Sequence, residues 1–307
     1  MRVAILGAGA VGGYYGGRLA QAGHDVRFLY RSELEVVRAN GLRLESVDGN
    51  WQGRVQAFGD AGEIGPCDAV VVAFKSAQAG LFPELLPKVL APDGMVVCLM
   101  NGLGHEEMIA KVVGPSRVVA GAAFICAERG APGVVHHYAV GGLSVGPYFP
   151  DGRDRVVAFC QRVSALFEGA GVPCKAMDDG VGIKWGKLVW NVPFSGLSVW
   201  AGGITTDRIV SDPALRAFAD ALMAEVLVAA AACGVVLDPR SPARNMKQTE
   251  GMGTYRPSML VDYLAGRPVE WEAIVAEPLR RGEAAGASLP RMRELLEGIQ
   301  ARIQAAR

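Results

Sequence analysis

Residues 2–12 read RVAILGAGAVG, a short apolar run that ends in a GxGxxG turn. Alone the pattern is weak, because small residues recur by chance. Here it follows a strand candidate and opens a helix, the setting in which each glycine has a task. Gly7 makes the tight turn, Gly9 lets backbone approach a pyrophosphate, and Gly12 lets the helix pack on the strand. Ala10 and Val11 begin that helix, whose N-terminus faces the negative charge. The helix runs to Gly23, DVRFLY (25–30) is a second strand, and VDGN (47–50) reads as a hairpin turn. AVVVAF (69–74) precedes helix-like residues 76–90, and MVVCLM (95–100) precedes another short helix. Apolar strands alternating with helices predict an α/β, doubly wound parallel sheet covered on both faces.

The second half reads differently. Residues 117–146 are strand-like pieces broken by glycines, and a helix over 153–169 leads to VPCKAM. Beyond about Asp178 the pattern is helical, near 181–200, 206–233, 240–265, 270–286 and 290–304. Two domains are expected, 1–177 for dinucleotide binding and an all-α 178–307 for substrate and catalysis, in keeping with about 150 residues per domain.

Composition excludes several classes. With 50% apolar and 20% charged residues the chain is not disordered, and 31 basic against 31 acidic residues leave no field for nucleic acid. The six cysteines are scattered without a CxxC pair, as expected of buried thiols in a reducing compartment. The N-terminus does not read as a signal peptide, and the apolar stretch 219–237 carries Asp220 and Glu225, so a buried helix is expected rather than a membrane span. A soluble cytoplasmic protein with no membrane partner is the expectation. No metal is expected: His136 and His137 are adjacent in a strand-like segment without nearby carboxylates, and packing or surface roles suit them better.

The end of the second strand bears on which dinucleotide is used. NAD enzymes usually carry a carboxylate there for the ribose 2′-hydroxyl, whereas this chain has Tyr30-Arg31-Ser32. A guanidinium suits a 2′-phosphate, which favours NADPH. Lys75 and Asn101 follow strands and so fall on the cofactor edge of the sheet, although a lysine there can simply face water and Asn-Gly is a turn former. In IKWGKLVWNVPFS, Lys187, Asn191 and Ser195 are spaced by four and share a helix face between apolar flanks. A lysine partly desolvated there, near a cationic nicotinamide, has its pKa lowered and becomes a credible proton donor. PSMLVDYLAGRPVEWEAI puts Ser258, Asp262 and Glu270 in a helix–turn–helix, where Glu270 also suits a helix start without any functional role.

GAGAVG, the arginine after the second strand, FKSAQ, MNGLG, GKLVWN and PSML…D…GRPVE occur in one chain in the order and at about the spacing of the ketopantoate reductase family, which the sequence resembles over nearly its whole length. The resemblance implies an N-terminal Rossmann-like domain, a helical C-terminal domain with substrate in the cleft between them, and NADPH-dependent reduction of ketopantoate to pantoate on the way to pantothenate and coenzyme A. It puts the catalytic lysine on Lys187 and the glutamate that binds the substrate hydroxyl on Glu270. Asn191 becomes the substrate-binding asparagine, Ser258 the partner of the substrate carboxylate, and Arg31 the 2′-phosphate binder. Lys75 and Asn101 match positions lining the cofactor and active site.

The chain also departs from that pattern. Ser195 stands where many relatives have a second asparagine, and Pro193 inside the same helix predicts a kink. After Glu270, Trp271, Glu272 and Val275 replace Ile, Asp and Asn, with Pro278 beyond. Two alternatives therefore stay open: a related NADPH-dependent reductase of another small 2-oxo acid, and an NADPH-binding sensor without turnover. The sequence leaves the oligomeric state open, a homodimer included.

Overall fold

The computed structural model describes residues 1–305. The chain divides into two compact units: residues 1–100 with 105–183, and residues 101–104 with everything from Lys184 onward. The division thus falls inside a helix, and the loop Asn101–Gly104 belongs to the second unit.

The first unit is built on one sheet. Its strands are β1 (Arg2–Leu6), β2 (Asp25–Leu29), β3 (Leu42–Ser46), β4 (Trp51–Gly53), β5 (Gln56–Phe58), β6 (Cys67–Val72), β7 (Leu90–Cys98), β8 (Val118–Arg129), β9 (Val134–Pro147) and β10 (Cys174–Ala176). Its helices are α1 (Ala10–Gln21), α2 (Leu34–Asn40), α3 (Phe82–Val89), α4 (His105–Val113) and α5 (Arg153–Gly169). The order is β4-β3-β9-β8-β7-β6-β1-β2-β5, with β10 on β9. β5, β2, β1, β6, β7 and β8 run parallel. β8 and β9 form a long antiparallel hairpin.

Parallel strands covered on both faces must be apolar on both, and β1 shows it: Val3 and Ile5 pack in one core, Ala4 and Leu6 in the other. The chain leaves β1 for β2 on one side and returns to β6 on the other, so the carboxyl end of β1 is the topological switch point. Gly7 sits there with φ +99°, and a Cβ on it would lie 2.7 Å from the Ala73 carbonyl carbon.

Several boundaries differ from the sequence expectation. β2 ends at Leu29 and β6 at Val72, so Tyr30 and Lys75 lie past their strands. The histidines do have carboxylates nearby, because β3 pairs with β9 in a register that sequence distance hides. His136 Nδ1 is 2.8 Å from Glu45 Oε2, and His137 Nδ1 is 3.7 Å from Asp48 Oδ2. His137 Nδ1 also lies 2.8 Å from Ser46 Oγ.

The second unit is helical, with no strand among its described residues. α6 (Gly180–Trp190), whose first turn belongs to the first unit, is followed by α7 (Gly196–Trp200), α8 (Thr206–Ser211), α9 (Pro213–Ala232), α10 (Ser241–Glu250), α11 (Ser258–Leu264), α12 (Glu277–Ala284) and α13 (Pro290–Ala305). The helix expected over 240–265 is two: residues 251–257 (GMGTYRP) interrupt it with Gly253 at φ +62° and then a proline. Among the described residues no helix is long and apolar enough to cross a membrane.

Two π-helical turns interrupt the α-helices. Asn191–Ser195 joins α6 to α7, and Glu272–Ala276 leads into α12. Pro193 lies within the first and Pro278 just beyond the second. Proline has no N–H to donate, so the five-residue register accommodates a helix that cannot complete its four-residue ladder. At Pro193, where the sequence predicts a kink, the structure shows a change of winding, with helix continuing to Trp200.

Candidate active site

The second unit gathers three of the residues singled out in sequence. Nζ of Lys187, on the last turn of α6, donates a 2.7 Å hydrogen bond to Oδ1 of Asn101. Lys187 is half-buried and its pKa is lowered to about 7, first by desolvation and then by the Lys184 charge, with Glu270 pulling the other way. Lys184 and Glu270 are both buried. An ammonium that gives up its proton near neutrality is a usable acid at physiological pH.

The Asn101 loop is seated by backbone. In the π turn the amide of Glu277 bonds to the carbonyl of Glu272, and the next amide in that register would belong to Pro278, which has none. The Ala273 carbonyl therefore lacks that partner, and the Leu103 amide donates to it at 3.0 Å. Gly102 lies flat against the same carbonyl at φ +85°, where a Cβ would come within 2.3 Å of the oxygen. Asn101 is thereby held one residue from a fixed point of the Glu270 helix.

Asn191 and Ser195 open and close the first π turn, both buried. Ser258 is the first residue of α11 and half-buried, while Asp262 on the same helix pairs with Arg267 at 2.9 Å. Asn101 thus meets Lys187 by a hydrogen bond, and Glu270 acts on the same ammonium through its charge.

The first unit carries the glycine turn. Gly9 precedes α1, whose first turn has neither a side-chain cap nor an acidic residue. A Cβ on Gly12 would lie 2.2 Å from the Gly7 carbonyl oxygen, whereas one on Gly9 would meet only Arg129 Cδ, at 3.8 Å. Two glycines are thus closed by packing and the middle one is open, which fits a pyrophosphate lying over Gly9 and the first amides of α1. Ala10 and Val11 form that first turn. Arg31 and Ser32 are exposed past β2, and Lys75 is exposed at the start of a 3₁₀ turn, Ser76–Leu81.

Sequence reading passed over two residues here. Glu33 lies close behind Arg31, and its side chain is only 12% exposed. Its Oε2 accepts from the Gly133 amide at 3.0 Å, and its Oε1 pairs with the Arg129 guanidinium. Arg129 ends β8, nearly a hundred residues away, and no spacing signal links it to the glycine turn. Its charge also reaches buried Tyr30, whose phenol burial pushes up and Arg129 pulls down.

A glycine turn at the switch point of a parallel sheet, with a helical unit bearing a lysine of lowered pKa, defines a nicotinamide-dinucleotide-dependent oxidoreductase. The family model described as "Ketopantoate reductase PanE/ApbA" matches residues 3–149, and its C-terminal counterpart matches residues 180–303. The chain belongs to the ketopantoate reductase family, whose members use NADPH. A 2-dehydropantoate 2-reductase of Nostoc sp. is 38% identical over 95% of this chain and 92% of its own. The crystal structure of 2-dehydropantoate 2-reductase from Geobacter metallireducens superposes with a TM-score of 0.93 at 35% identity, covering 100% of both chains. D-mandelate dehydrogenase, solved with NADH and anilino(oxo)acetate, shares the fold with a TM-score of 0.90 at 21% identity, covering 99% of each chain.

Proposed function

We propose that this chain reduces 2-dehydropantoate (ketopantoate) to pantoate, with Lys187 as the proton donor. Bound NADPH supplies the hydride to the 2-oxo carbon. Lys187 gives its proton to the oxygen that gains negative charge, and Asn101 holds the ammonium in one orientation. Glu270 accepts a hydrogen bond from the distal hydroxyl of the substrate, Ser258 meets its carboxylate, and Asn191 and Ser195 complete the substrate contacts. Gly7, Gly9, Ala10, Val11 and Gly12 hold the pyrophosphate, Arg31 the 2′-phosphate, and Lys75 and Asn101 line the cofactor. Dinucleotide binding is assigned to residues 1–177, and substrate chemistry to residues 178–307 together with Asn101. The setting is cytoplasmic, on the route to pantothenate.

The observation that carries this reading is the Lys187–Asn101 hydrogen bond at a lysine whose pKa is lowered to about 7. A surface lysine would keep its proton too tightly to act as an efficient acid at neutral pH. The relatives named for the same reaction support the choice of substrate.

A second reading, a reductase of another 2-oxo acid, is favoured by Trp271 and Val275 beside Glu270, because specificity depends on more contacts than the chemistry does. NADPH oxidation measured across ketopantoate and bulkier or unhydroxylated 2-oxo acids separates the two. Highest kcat/KM with ketopantoate is the expected result, a strong preference for another acid supports the second reading, and no oxidation with any acid overturns both.

A further inference from the structure

We propose that the Arg129–Glu33 ion pair selects the cofactor, Arg129 neutralising a carboxylate that would otherwise stand against the 2′-phosphate. The proposal rests on the reading that the glycine turn holds NADPH. Glu33 follows Gly12 by about 20 residues, the interval at which NAD enzymes place their ribose-binding carboxylate. By counting alone it belongs to an NADH enzyme.

The contacts of Glu33 give it another part. A carboxylate that serves a ribose must offer open lone pairs to the hydroxyls. Here one oxygen is engaged by the Gly133 amide at 3.0 Å and the other by the Arg129 guanidinium. Both partners come from one structure, the β8–β9 hairpin: Arg129 is the last residue of β8, and Gly133 is in its turn. The hairpin thus clamps Glu33 and cancels its charge.

Arg129 is also suited to a second anion. Its Cδ would be 3.8 Å from a Cβ on Gly9, so its stem lies along the open side of the glycine turn, and the side chain remains 53% exposed. A guanidinium has five donors, and pairing with one carboxylate leaves some for a phosphate. Arg31 is exposed two residues before Glu33. With the pair intact, the end of β2 offers net positive charge; without Arg129 it offers Glu33 beside Arg31 and loses its preference for a phosphate.

Dissociation constants of NADP⁺ and NAD⁺ for the full chain, measured by calorimetry in wild type, Arg129→Ala and Arg129→Ala/Glu33→Gln, test this without turnover. Arg129→Ala should lower the preference for NADP⁺ over NAD⁺ by about tenfold or more, and adding Glu33→Gln should recover most of that loss. A ratio within about twofold of wild type in Arg129→Ala overturns the proposal. So does a double variant no better than the single, since Arg129 would then act only as a phosphate contact or a structural strut. Wild type that binds NADP⁺ shows the underlying reading intact whatever the variants do; wild type that binds neither dinucleotide overturns that reading and the proposal with it.

Discussion

Lys187 Nζ and Asn101 Oδ1 are 2.7 Å apart although 86 residues separate them in sequence. The bond joins the end of α6 to the loop after β7, and the loop is fixed in turn by the Leu103 amide on the Ala273 carbonyl at 3.0 Å. An acceptor on the ammonium favours its charged form and fixes the direction of its remaining protons. Asn101→Ala should therefore lower kcat by about ten- to a hundredfold and move the Lys187 titration to lower pH. Steady-state kinetics across pH check this, and an unchanged profile would show that the bond is not used.

Removing the lysine should stabilise the fold while abolishing the reaction. The pKa of Lys187 is about 7 in the folded protein against an ordinary 10.5. Because the folded value is the lower, the cost of burying the charge is full below about pH 7 and fades as pH rises toward 10.5. At roughly 1.4 kcal/mol per pKa unit, Lys187→Met should gain a few kcal/mol near neutrality and little near pH 10. Denaturant unfolding at the two pH values measures it. An equal effect at both would mean that packing, not charge, decides.

The Glu270 charge raises the Lys187 pKa against desolvation. Glu270→Gln should therefore shift the alkaline limb of the reductive pH profile downward and raise KM for ketopantoate, with dinucleotide affinity retained. A changed limb with unaltered KM would leave Glu270 an electrostatic role and remove its assigned contact with the substrate.

Gly102→Ala should cost about 1–2 kcal/mol for the positive φ alone, and more because its Cβ would come within 2.3 Å of the Ala273 carbonyl oxygen. The loop must shift and carry Asn101 with it. The expected result is a kcat loss at least as large as that of Asn101→Ala, read alongside the melting temperature. Near wild-type kcat would show that the loop seat is dispensable.

Local signals made the first unit readable. The stretch from Arg2 to Gly12 carries strand, turn and helix in eleven consecutive residues, and α5 falls where its periodicity places it. Lys187, Asn191 and Ser195 could be found from their spacing of four, and Glu270 from family motifs, though by residue type alone it reads as a helix start. What escaped depends on contacts between distant segments. Glu45 meets His136 only because β3 lies on β9, and Arg129 meets Glu33 only because the turn of the β8–β9 hairpin lies against the start of α2. Backbone hydrogen bonding escaped as well: Pro278 is visible in sequence, but the carbonyl that it leaves without a partner becomes apparent only when Leu103 is seen to bond to it.

The most direct test is the pH dependence of kcat in both directions, with substrates saturating. If Lys187 is the acid, reduction of ketopantoate falls as pH rises through about 7, where the lysine loses its proton, and oxidation of pantoate rises over the same interval. Lys187→Ala should remove both limbs along with at least a hundredfold of the rate. Rates in wild type that are flat across neutrality in both directions, or a Lys187→Ala enzyme within a few fold of wild type, would contradict it.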